Sequence, residues 1–555
     1  DLSNEELIDD RECIGNMKLA SQFQDKRSFV YKYIFPEQEY KLKKGRSVII
    51  ANNTDPDRAD YAGTIQELDQ INRTLVLRKG ISKEQKQLPR TLSIGEKVME
   101  QSRFDNLNKN IYAFCDNLLE NKKGYEALKS FLNRDIPNIK GINQGDKIIN
   151  SENFDQEIPD VISRLNSSYL FLQGPPGTGK TFQSANAIVE LIKQKKRIAV
   201  TANSHKVIHN LLERVEKLAT KQDVLFKGLK MGNPDNEDTF YNGKLIKTDK
   251  NEKHYIDGLK ERNFLLYAGT KYHLSQWYYR NKIDYLFIDE AGQISIADLI
   301  ALGGVAKNII LVGDQQQLKQ PNQGSHPGLS SNSVLDYLLE GKDTVQDNRG
   351  IFLNRTFRMH PEINTYVSEN FYENKLLTNP KNQNREIDYP NNFLVNKEGI
   401  HSVLMDHEDC TQTSEEEFKK IDQIIKKLIG KKFTDSDGKD RPLQIEDFLI
   451  VSPYNAQVNF LLARLPKGTR CGTIDRFQGQ EAPITIISMT SSNIESLPRD
   501  KSFFFSKNRL NVAISRAQCA SIILFNPKLL ESAPNSYEEF KIINNFQKLL
   551  RYKIN

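Results

Sequence analysis

The sequence predicts an α/β protein with two tandem domains on mainly parallel sheets, preceded by a helical stalk that carries a small inserted β-barrel. Two series of short apolar segments, one within residues 155–325 and one within 326–555, alternate with stretches of helical spacing. Helices cover both faces of a parallel sheet, so its buried strands are continuous apolar runs. Ahead of them, residues 41–90 hold β-branched runs between Asn, Asp and Gly turns, which is typical of a small antiparallel barrel.

The predicted domain boundaries follow these changes of pattern, because 555 residues are too many for a single hydrophobic core. Residues 1–40 and 91–154 have helical patterns and are predicted to be the two parts of the stalk, on either side of the barrel. Residues 230–260, rich in Asn, Asp and Lys, look like a surface insertion. The barrel strands are expected at Arg46–Ala51, Tyr61–Leu68 and Arg73–Lys79. The sheet strands are expected at Tyr169–Gln173, Arg197–Ala202, Asn263–Ala268, Tyr285–Asp289 and Asn308–Val312, then at Ile351–Asn354, Ser402–Met405, Asp447–Ser452, Ile484–Met489 and Ser521–Phe525.

Composition excludes several classes of protein. The 78 basic and 72 acidic residues give a net charge of +6, which permits a polyanionic partner without requiring one. The five cysteines lie far apart with no C-x-x-C pair, so a disulfide scaffold, a zinc ribbon and a four-cysteine iron–sulfur cluster are excluded. No apolar run approaches about 20 residues, so we expect no membrane partner. A reducing, cytoplasmic setting is expected, and the start at Asp1 without Met suggests that an upstream segment was removed.

A phosphate-binding loop follows the first predicted sheet strand. Gly174-Pro-Pro-Gly-Thr-Gly-Lys-Thr181 fits the pattern G-x-x-x-x-G-K-[ST] between a strand and a helix. Its glycines allow successive N–H groups to face a phosphate at the positive end of a helix. Lys180 supplies a charge for the β and γ phosphates, and the Thr181 hydroxyl is a ligand for Mg²⁺. The candidate nucleotide-binding residues are Gly174, Pro175, Gly177, Thr178, Gly179, Lys180 and Thr181.

Two adjacent carboxylates end the predicted strand that begins at Tyr285. Alternation along a strand would send Asp289 and Glu290 in different directions, so they can take different roles. Asp289 would reach Mg²⁺ through its water shell, and Glu290 would polarise an attacking water. An acidic strand end at the surface is the alternative, which the nearby phosphate-binding loop makes less favourable.

Further motifs follow in a fixed order along the chain. They are Asp289-Glu-Ala-Gly-Gln293, Gly313-Asp-Gln-Gln-Gln-Leu318, Arg355-Thr-Phe-Arg-Met-His-Pro361, Pro453-Tyr-Asn-Ala-Gln457, Thr473-Ile-Asp-Arg-Phe-Gln-Gly-Gln-Glu481 and Asn511-Val-Ala-Ile-Ser-Arg-Ala517. Together they resemble motifs II to VI of superfamily 1B helicases, the up-frameshift-type group, and Thr201-Ala-Asn-Ser-His205 resembles motif Ia. The resemblance covers about residues 169–525 and implies two RecA-like P-loop NTPase domains.

Three shorter segments are similar in sequence to a bacterial branch of this family that is often fused behind a RecB-like nuclease. The segments are Tyr169-Leu-Phe-Leu-Gln-Gly174, Ser204-His-Lys206 and Gln323-Gly-Ser-His-Pro327. Residues 1–150 hold no nuclease motif that we recognise, so we expect a nuclease, where there is one, upstream of residue 1 or in a separate protein.

The resemblance implies ATP and Mg²⁺ as cofactors and assigns roles position by position. Gln317 senses the γ phosphate, and Arg358 and Arg516 are arginine fingers from the second domain. Phe357 stands where the family often has Tyr and stacks on adenine, while Glu481 meets the ribose or the nucleic-acid-facing loop. Gln156 is the candidate for reading adenine by its spacing from the phosphate-binding loop. Ordinary surface arginines are the alternative for Arg358 and Arg516.

The same resemblance implies an ATP-dependent helicase or translocase on single-stranded nucleic acid, with DNA favoured over RNA and movement 5′ to 3′. We expect a monomer in which the strand crosses both α/β domains with little sequence specificity. The predicted nucleic-acid contacts are Ser204, His205, Pro453, Tyr454 and Thr473. The alternative is a nucleic-acid-gated ATPase switch that clamps without unwinding. Trp277 is predicted to be packed rather than stacked on a base, and a zinc site at His205 and His209 is disfavoured for want of a third ligand.

Overall fold

The computed structural model describes residues 6–8, 13–38, 40, 42, 44–51, 61–70, 72–81, 87–96, 105–151, 153–318, 328–390, 393, 398–477, 479–494, 505–531 and 537–553. The chain divides into two units, Asp1–Gln101 and Ser102–Asn555. Across the described residues, no helix combines the length and the apolar character needed to span a membrane.

The first unit is a closed six-stranded antiparallel barrel. Its strands are β1 (Cys13–Asp25), β2 (Ser28–Ile34), β3 (Ser47–Ile50), β4 (Tyr61–Asp69), β5 (Thr74–Gly80) and β6 (Thr91–Glu96). They pair in the order β1-β2-β5-β4-β3-β6, and β6 returns to pair with β1, so no strand has a free edge. Alternate residues of β5 point inward, which buries Leu75 and Leu77 against Tyr31 and Tyr33 of β2.

The helix predicted over residues 1–40 is wrong, because most of the described part of that segment forms β1 and β2. Ile14 and Met17 are both fully buried and lie three residues apart, which imitates helical spacing. That spacing arises because the pairing of β1 with β6 shifts register between these two residues, at an irregularity of the bulge type. The barrel therefore runs from residue 13 to 96 rather than 41 to 90, and α-helices follow it.

The second unit begins with helices and an eight-stranded parallel sheet, which is the first RecA-like domain. Its elements are α1 (Asp105–Leu119), α2 (Glu126–Leu132), α3 (Phe154–Ser163), β7 (Tyr169–Gln173), α4 (Lys180–Lys193), β8 (Ile198–Thr201), α5 (His205–Lys221), β9 (Gly228–Met231), β10 (Ile246–Asp249), α6 (Glu252–Glu261), β11 (Leu266–Ala268), α7 (Lys271–Leu274), β12 (Ile283–Ile288), α8 (Ile296–Leu302), β13 (Ala306–Gly313), α9 (Val334–Leu339) and β14 (Gly350–Phe352). The strand order is β10-β9-β11-β8-β12-β13-β7-β14. All residues of β7 and β8 are buried, as strands covered on both faces require.

The second RecA-like domain has a five-stranded parallel sheet of order β18-β24-β23-β21-β22. Its elements are β15 (Arg355–Thr356), α10 (Pro361–Phe371), β16 (Leu377–Thr378), β17 (Glu386–Ile387), β18 (Gly399–Leu404), α11 (Glu415–Leu428), β19 (Lys432–Thr434), β20 (Asp440–Pro442), β21 (Phe448–Val451), α12 (Asn455–Leu462), β22 (Arg470–Gly472), β23 (Ala482–Ser488), α13 (Lys507–Ile514), β24 (Ala517–Phe525) and α14 (Tyr537–Gln547). β15 pairs with β16, and β17, β19 and β20 form a small antiparallel sheet. The two parallel sheets and the N-terminal barrel confirm the predicted α/β class.

Two further sequence interpretations need correction. The strand expected at Ile351–Asn354 was assigned to the second domain, but β14 pairs with β7 and completes the first sheet. The first domain thus extends past residue 325, because the chain returns to its own sheet after α9. Residues 230–260 are not only a surface insertion, since β9 and β10 extend the first sheet and Ile246 is fully buried. Polar turns between these short strands hide them in the sequence.

Candidate functional site

The phosphate-binding loop starts at the carboxyl end of β7. The N–H of Gly174 donates to the carbonyl of Gly313 at 3.0 Å, which joins the loop to the end of β13. Gly177 and Gly179 have φ angles of 73° and 83°, in the left-handed region that favours glycine. The Thr178 hydroxyl donates to the carbonyl of Pro175 at 2.8 Å. Helix α4 begins immediately after, so its free N–H groups lie at the loop, where a phosphate is favoured.

Lys180 is the first residue of α4, and its ammonium donates to the carbonyl of Gly174. The charge therefore lies over the start of the loop, as the sequence predicts for a phosphate-binding lysine. Thr181 follows on the first turn of the same helix, and both side chains are half-buried. The structure thus brings together the seven loop residues that the pattern predicted.

The two carboxylates lie just past the end of β12, which ends at Ile288. Asp289 is buried, and burial raises the pKa of its carboxyl, with the charge of Glu290 adding to the effect and that of Lys180 opposing it. Glu290 has a φ of 52°, a left-handed conformation that is uncommon for a residue with a side chain. Its N–H donates to Asp289 Oδ1 at 2.9 Å. A local turn, and not the alternation of a strand, sets the directions of the two side chains.

Gln317 follows β13 and is held by a buried carboxylate. Its Nε2 donates to Asp314 Oδ2 at 2.8 Å. Burial raises the pKa of Asp314, whereas the nearby charge of Lys180 lowers it. Gln317 is therefore fixed at the same edge of the sheet as the phosphate-binding loop and the carboxylates of β12.

Two arginines of the second domain are buried side by side. Arg358 Nε donates to Glu481 Oε2 at 2.7 Å, and its Nη1 donates to the carbonyl of Ser515 at 3.0 Å. Arg516, the next residue, is 2% exposed, and its Nη1 donates to the carbonyl of Gln480 at 3.3 Å. The two guanidinium groups are therefore neighbours, held by main-chain carbonyls and one carboxylate.

Arg516 keeps unused hydrogen-bond donors in this buried position. Within the described structure, its Nε and Nη2 have no partner. Burial, and then the charge of Arg358, lower the pKa of Arg516 to about 9, while Glu290 and Glu481 oppose the shift. A buried cation with unpaired N–H groups is costly unless it meets an anion. The arrangement therefore fits the terminal phosphate of a nucleotide.

The strand β15 brings the second domain against the phosphate-binding loop. The N–H of Phe357 donates to the carbonyl of Gly177 at 2.9 Å. The hydroxyl of Thr356 donates to the carbonyl of Pro176 at 2.9 Å. The Phe357 ring itself is 56% exposed, so a face remains open for stacking. Arg358, the next residue, and Arg516 are buried, so the predicted arginines are not surface residues.

Glu481 and Gln156 have contacts that their predicted roles do not mention. Glu481 binds Arg358 with one oxygen and accepts from Gln518 Nε2 with the other at 2.8 Å. Gln156 is exposed on α3, and its Oε1 accepts from Asn153 Nδ2 at 2.9 Å. A ribose contact of Glu481 and an adenine contact of Gln156 stay predictions.

Sequence reasoning missed the residues that join the two domains behind the site. Asn508 Nδ2 donates to the carbonyls of Gln315 and Gln317, both at 2.5 Å. Lys507 Nζ lies 3.1 Å from Asp343 Oδ1. Asn508 could have been singled out by its position, because it lies three residues before Asn511, which opens the last sequence motif, on the same helix. Tyr372 also lies between the two domains. Nothing in the sequence distinguished it from a core residue, since it follows the apolar face of an ordinary helix.

The predicted nucleic-acid contacts lie just after carboxyl ends of strands, the usual ligand edge of parallel sheets. Ser204 follows β8, Pro453 follows β21, and Thr473 follows β22. The hydroxyl of Ser204 is exposed and caps α5, where it accepts from the N–H of Val207 at 3.3 Å. His205 is half-buried, and burial, with the charge of Lys230, lowers its pKa to about 4.

One aromatic prediction needs correction, and another stays a prediction. The turn of Pro453 and Tyr454 stays a predicted contact, with the Tyr454 side chain completely buried in the second domain's core. Trp277 is 66% exposed and meets the ring of Tyr278 by its edge, so the expected packing is wrong for the tryptophan. Tyr278 and Tyr279 fill the core instead. The segment Gln323–Pro327 lies outside the described residues.

The family description "AAA domain" matches the chain twice, over residues 160–330 and 331–528. The chain is 26% identical over 403 residues to the DNA replication ATP-dependent helicase/nuclease dna2 of Schizosaccharomyces pombe, covering 69% of this chain and 28% of that protein. It is 23% identical over 507 residues to the DNA polymerase alpha-associated DNA helicase A of Saccharomyces cerevisiae, covering 76% of this chain and 69% of that protein. It is 25% identical over 426 residues to the regulator of nonsense transcripts 1 homolog of Arabidopsis thaliana, covering 68% of this chain and 33% of that protein.

These matches and the paired RecA-like domains define the class: the chain carries two AAA domains and is similar to superfamily 1B helicases such as dna2 and the regulators of nonsense transcripts. Two of these relatives are named as helicases, and dna2 is named as ATP-dependent. The chain spans 28% and 33% of the length of two of these relatives and 69% of the third.

Proposed function

We propose that this chain translocates along single-stranded nucleic acid and unwinds duplexes, using ATP hydrolysed between its two RecA-like domains. The observation that carries the proposal is the buried Arg516, whose Nε and Nη2 have no partner within the described structure, beside Arg358 at the phosphate-binding loop. Because these arginines come from the second domain, hydrolysis requires the cleft to be closed. An arginine finger is worth about 10³–10⁵ in rate, so opening and closing can be coupled to chemistry.

Each residue of the cleft has a defined task in this reaction. The loop N–H groups and Lys180 bind the β and γ phosphates of ATP. Thr181 and Asp289 would hold Mg²⁺, which neutralises phosphate charge when it is bound. Glu290 polarises the attacking water and accepts its proton, while Gln317 orients the γ phosphate. Arg358 and Arg516 stabilise the negative charge that develops as the phosphoryl group transfers.

We further propose DNA as the favoured strand, 5′-to-3′ movement, and action as a monomer in a reducing, cytoplasmic setting. The names of the yeast helicase A and of dna2 both specify DNA, which supports this proposal, whereas the regulators of nonsense transcripts are named for transcripts, so RNA is the alternative that the experiment decides. All five cysteines are free thiols, in keeping with a reducing setting. A nuclease partner, upstream in the same protein or separate, is proposed from the similarity to dna2, whose name includes that activity.

The test compares the wild-type chain with Lys180→Ala in ATP hydrolysis, with single-stranded DNA and RNA of matched sequence. We expect stimulation by DNA to exceed that by RNA, and Lys180→Ala to abolish turnover while nucleotide-free DNA binding survives. Strand displacement on duplexes with a 5′ tail, but not with a 3′ tail, would support the polarity. Hydrolysis without strand release from either duplex would instead indicate the nucleic-acid-gated ATPase switch.

A further inference from the structure

A buried phenol connects the two domains behind the catalytic cleft. Tyr372 follows α10 of the second domain, and its hydroxyl donates to Asp314 Oδ2 of the first domain at 2.7 Å. The same hydroxyl accepts from Asn511 Nδ2 of α13 at 2.9 Å. Asn511 Nδ2 also donates to the carbonyl of Gln316 at 2.8 Å. All four residues are buried, so this network is shielded from water.

At one end, the network reaches the residue predicted to sense the γ phosphate. Gln317 Nε2 donates to Asp314 Oδ2, the same oxygen that accepts from Tyr372. The other carboxylate oxygen, Oδ1, accepts from the N–H of Gln316 at 3.2 Å. Loss of the Tyr372 hydroxyl would leave Asp314 Oδ2 with Gln317 as its remaining side-chain donor, so the carboxylate and the Gln317 amide would both be held less firmly.

At the other end, the network reaches the arginine fingers. Asn511 lies in α13, which ends at Ile514. The carbonyl of Ser515, directly after the helix, accepts from Arg358, and Arg516 follows. A shift of α13 would therefore displace both guanidinium groups. The phenol thus lies between the group that senses the γ phosphate and the groups that stabilise its transfer.

The electrostatics keep the phenol in the role of donor to Asp314. Burial, and then the charge of Asp314, raise the pKa of Tyr372 well above its ordinary value, so the hydroxyl stays protonated. Burial raises the pKa of Asp314, while the charge of Lys180 and the hydrogen bonds that the carboxylate accepts, that of Tyr372 among them, oppose this shift by favouring the ionised form. Hydrogen bonds to a charged acceptor are about twice as strong as neutral ones. The bond from Tyr372 therefore transmits the position of one domain to a carboxylate in the other.

We propose that Tyr372 is a positioning residue for ATP hydrolysis, whose hydroxyl sets Gln317 and the Arg516 end of α13 in one catalytic arrangement. This inference rests on the proposed ATPase function. Other contacts hold the domains together without the phenol, namely those of Asn508 with two carbonyls and of Lys507 with Asp343. Loss of the hydroxyl should therefore impair the chemical step more than it impairs ATP binding.

The test is Tyr372→Phe, which removes one oxygen and keeps the ring packed beside Phe352. We expect kcat to fall about 10-fold or more, with KM for ATP within about 3-fold, the signature of an interaction realised in the transition state. The matched control is Tyr366→Phe in α10. Tyr366 is also buried, and its hydroxyl donates to the carbonyl of Asn545 at 3.4 Å, away from Asp314. Tyr366→Phe should keep the wild-type kcat, and both melting temperatures should be measured.

A double-mutant cycle distinguishes positioning from general stability. If Tyr372 acts through Gln317, then Tyr372→Phe should cost much less in a Gln317→Ala background than in the wild type. Strictly additive losses, or equal kcat for Tyr372→Phe and Tyr366→Phe, would overturn the inference. Where Tyr372→Phe gives no folded protein, Asn511→Ala removes the donor to the same hydroxyl. This variant should also lower kcat while KM for ATP stays within about 3-fold. An unchanged kcat for Asn511→Ala would overturn the inference.

The two levels of proposal fail in different ways. A folded wild-type chain that does not hydrolyse ATP with any nucleic acid would contradict the proposed function itself. A wild-type chain that hydrolyses ATP normally, with Tyr372→Phe as active as wild type, would contradict only the positioning role.

Discussion

Gly177 of the phosphate-binding loop faces Arg358 so closely that a Cβ on Gly177 would lie 2.5 Å from the Cβ of Arg358. The same Cβ would lie 2.7 Å from the hydroxyl oxygen of Thr356. Non-bonded carbons normally stay about 3.5–4.0 Å apart, so the second domain could not keep this position. Glycine at this point is required for the contact between domains as well as for the curvature of the loop.

Gly177→Ala should therefore prevent full closure of the cleft. We expect kcat for ATP hydrolysis to fall by at least about 10²-fold, because a displaced Arg358 would lose part of the about 10³–10⁵ in rate that an arginine finger contributes. Gly179→Ala is the matched control, because Gly179 has a similar positive φ but its Cβ would meet only Phe182, at 4.0 Å. Steady-state hydrolysis of both variants decides the point. Equal losses would mean that backbone strain alone, and not the contact with Arg358, explains the glycine.

A substitution of Glu481 distinguishes two roles of this residue, orientation of Arg358 and contact with the ribose. Its burial would raise the pKa of the carboxyl, but the charge and hydrogen bond of Arg358 lower it below the usual value. Glu481→Gln keeps the shape and removes the charge that orients Arg358. We expect kcat to fall about 3- to 30-fold with KM for ATP unchanged, as for a group that acts on the transition state through another. A raised KM with unchanged kcat would instead support the ribose contact.

The parts of the site that were predictable are those encoded by short stretches of chain. The loop 174–181 and the pair Asp289 and Glu290 each combine a buried strand with the polar residues at its end, so local pattern and chemistry coincide. The ordered motifs located Arg358 and Arg516. Because 158 residues separate the two in the chain, the sequence did not indicate that they are joined by the bond from Arg358 to the carbonyl of Ser515.

The parts that were not predictable depend on pairing across the chain. The bulge between Ile14 and Met17 changes the spacing of inward residues, so a strand has the period of a helix. The partner of β14 is β7, about 180 residues earlier, and no local pattern specifies this. The ring of Tyr372 belongs to the hydrophobic core, so the residue resembles any other core residue in the sequence. Its hydroxyl is the part that contacts the site.

Glu290→Gln should separate ATP binding from hydrolysis. The amide keeps the size of the side chain and its left-handed turn but cannot accept a proton from water. We expect hydrolysis to fall at least about 10²-fold, the usual loss for a general base, with ATP affinity unchanged. Equilibrium binding of ATP and single-turnover hydrolysis should be measured on the same preparation. A parallel loss of nucleotide affinity would indicate that Glu290 supports the fold of the loop instead.

Phe357→Ala should weaken the binding of the base. The ring is more exposed than buried, so its removal leaves the core intact. Because stacking on adenine stabilises ground and transition states equally, KM for ATP should rise more than kcat falls. Discrimination between purine and pyrimidine nucleotides should also weaken. Phe357→Tyr keeps the aromatic face and should retain the wild-type KM, whereas an unchanged KM for Phe357→Ala would remove the ring from the site.

The arginine pair gives the most direct test of the closed cleft. A guanidinium is planar and carries its positive charge at neutral pH, so it can bind two phosphate oxygens at once, whereas lysine keeps the charge without the fork. Arg516 has the unpartnered Nε and Nη2 for such a contact within the described structure. Arg516→Lys and Arg358→Lys should each bind ATP within a few-fold of wild type but lose most nucleic-acid-stimulated hydrolysis.

The double variant then reports whether the two arginines act together. Both would stabilise one transition state, and Arg358 is bound to the carbonyl of the residue that precedes Arg516. Removal of either guanidinium should disturb the other, so the double variant should cost less than the sum of the two single losses. The measurement is kcat with saturating single-stranded nucleic acid for wild type, both single variants and the double variant. Strictly additive losses, or full activity of a lysine variant, would show that these arginines do not share one closed active site, and the two-domain mechanism would then be wrong.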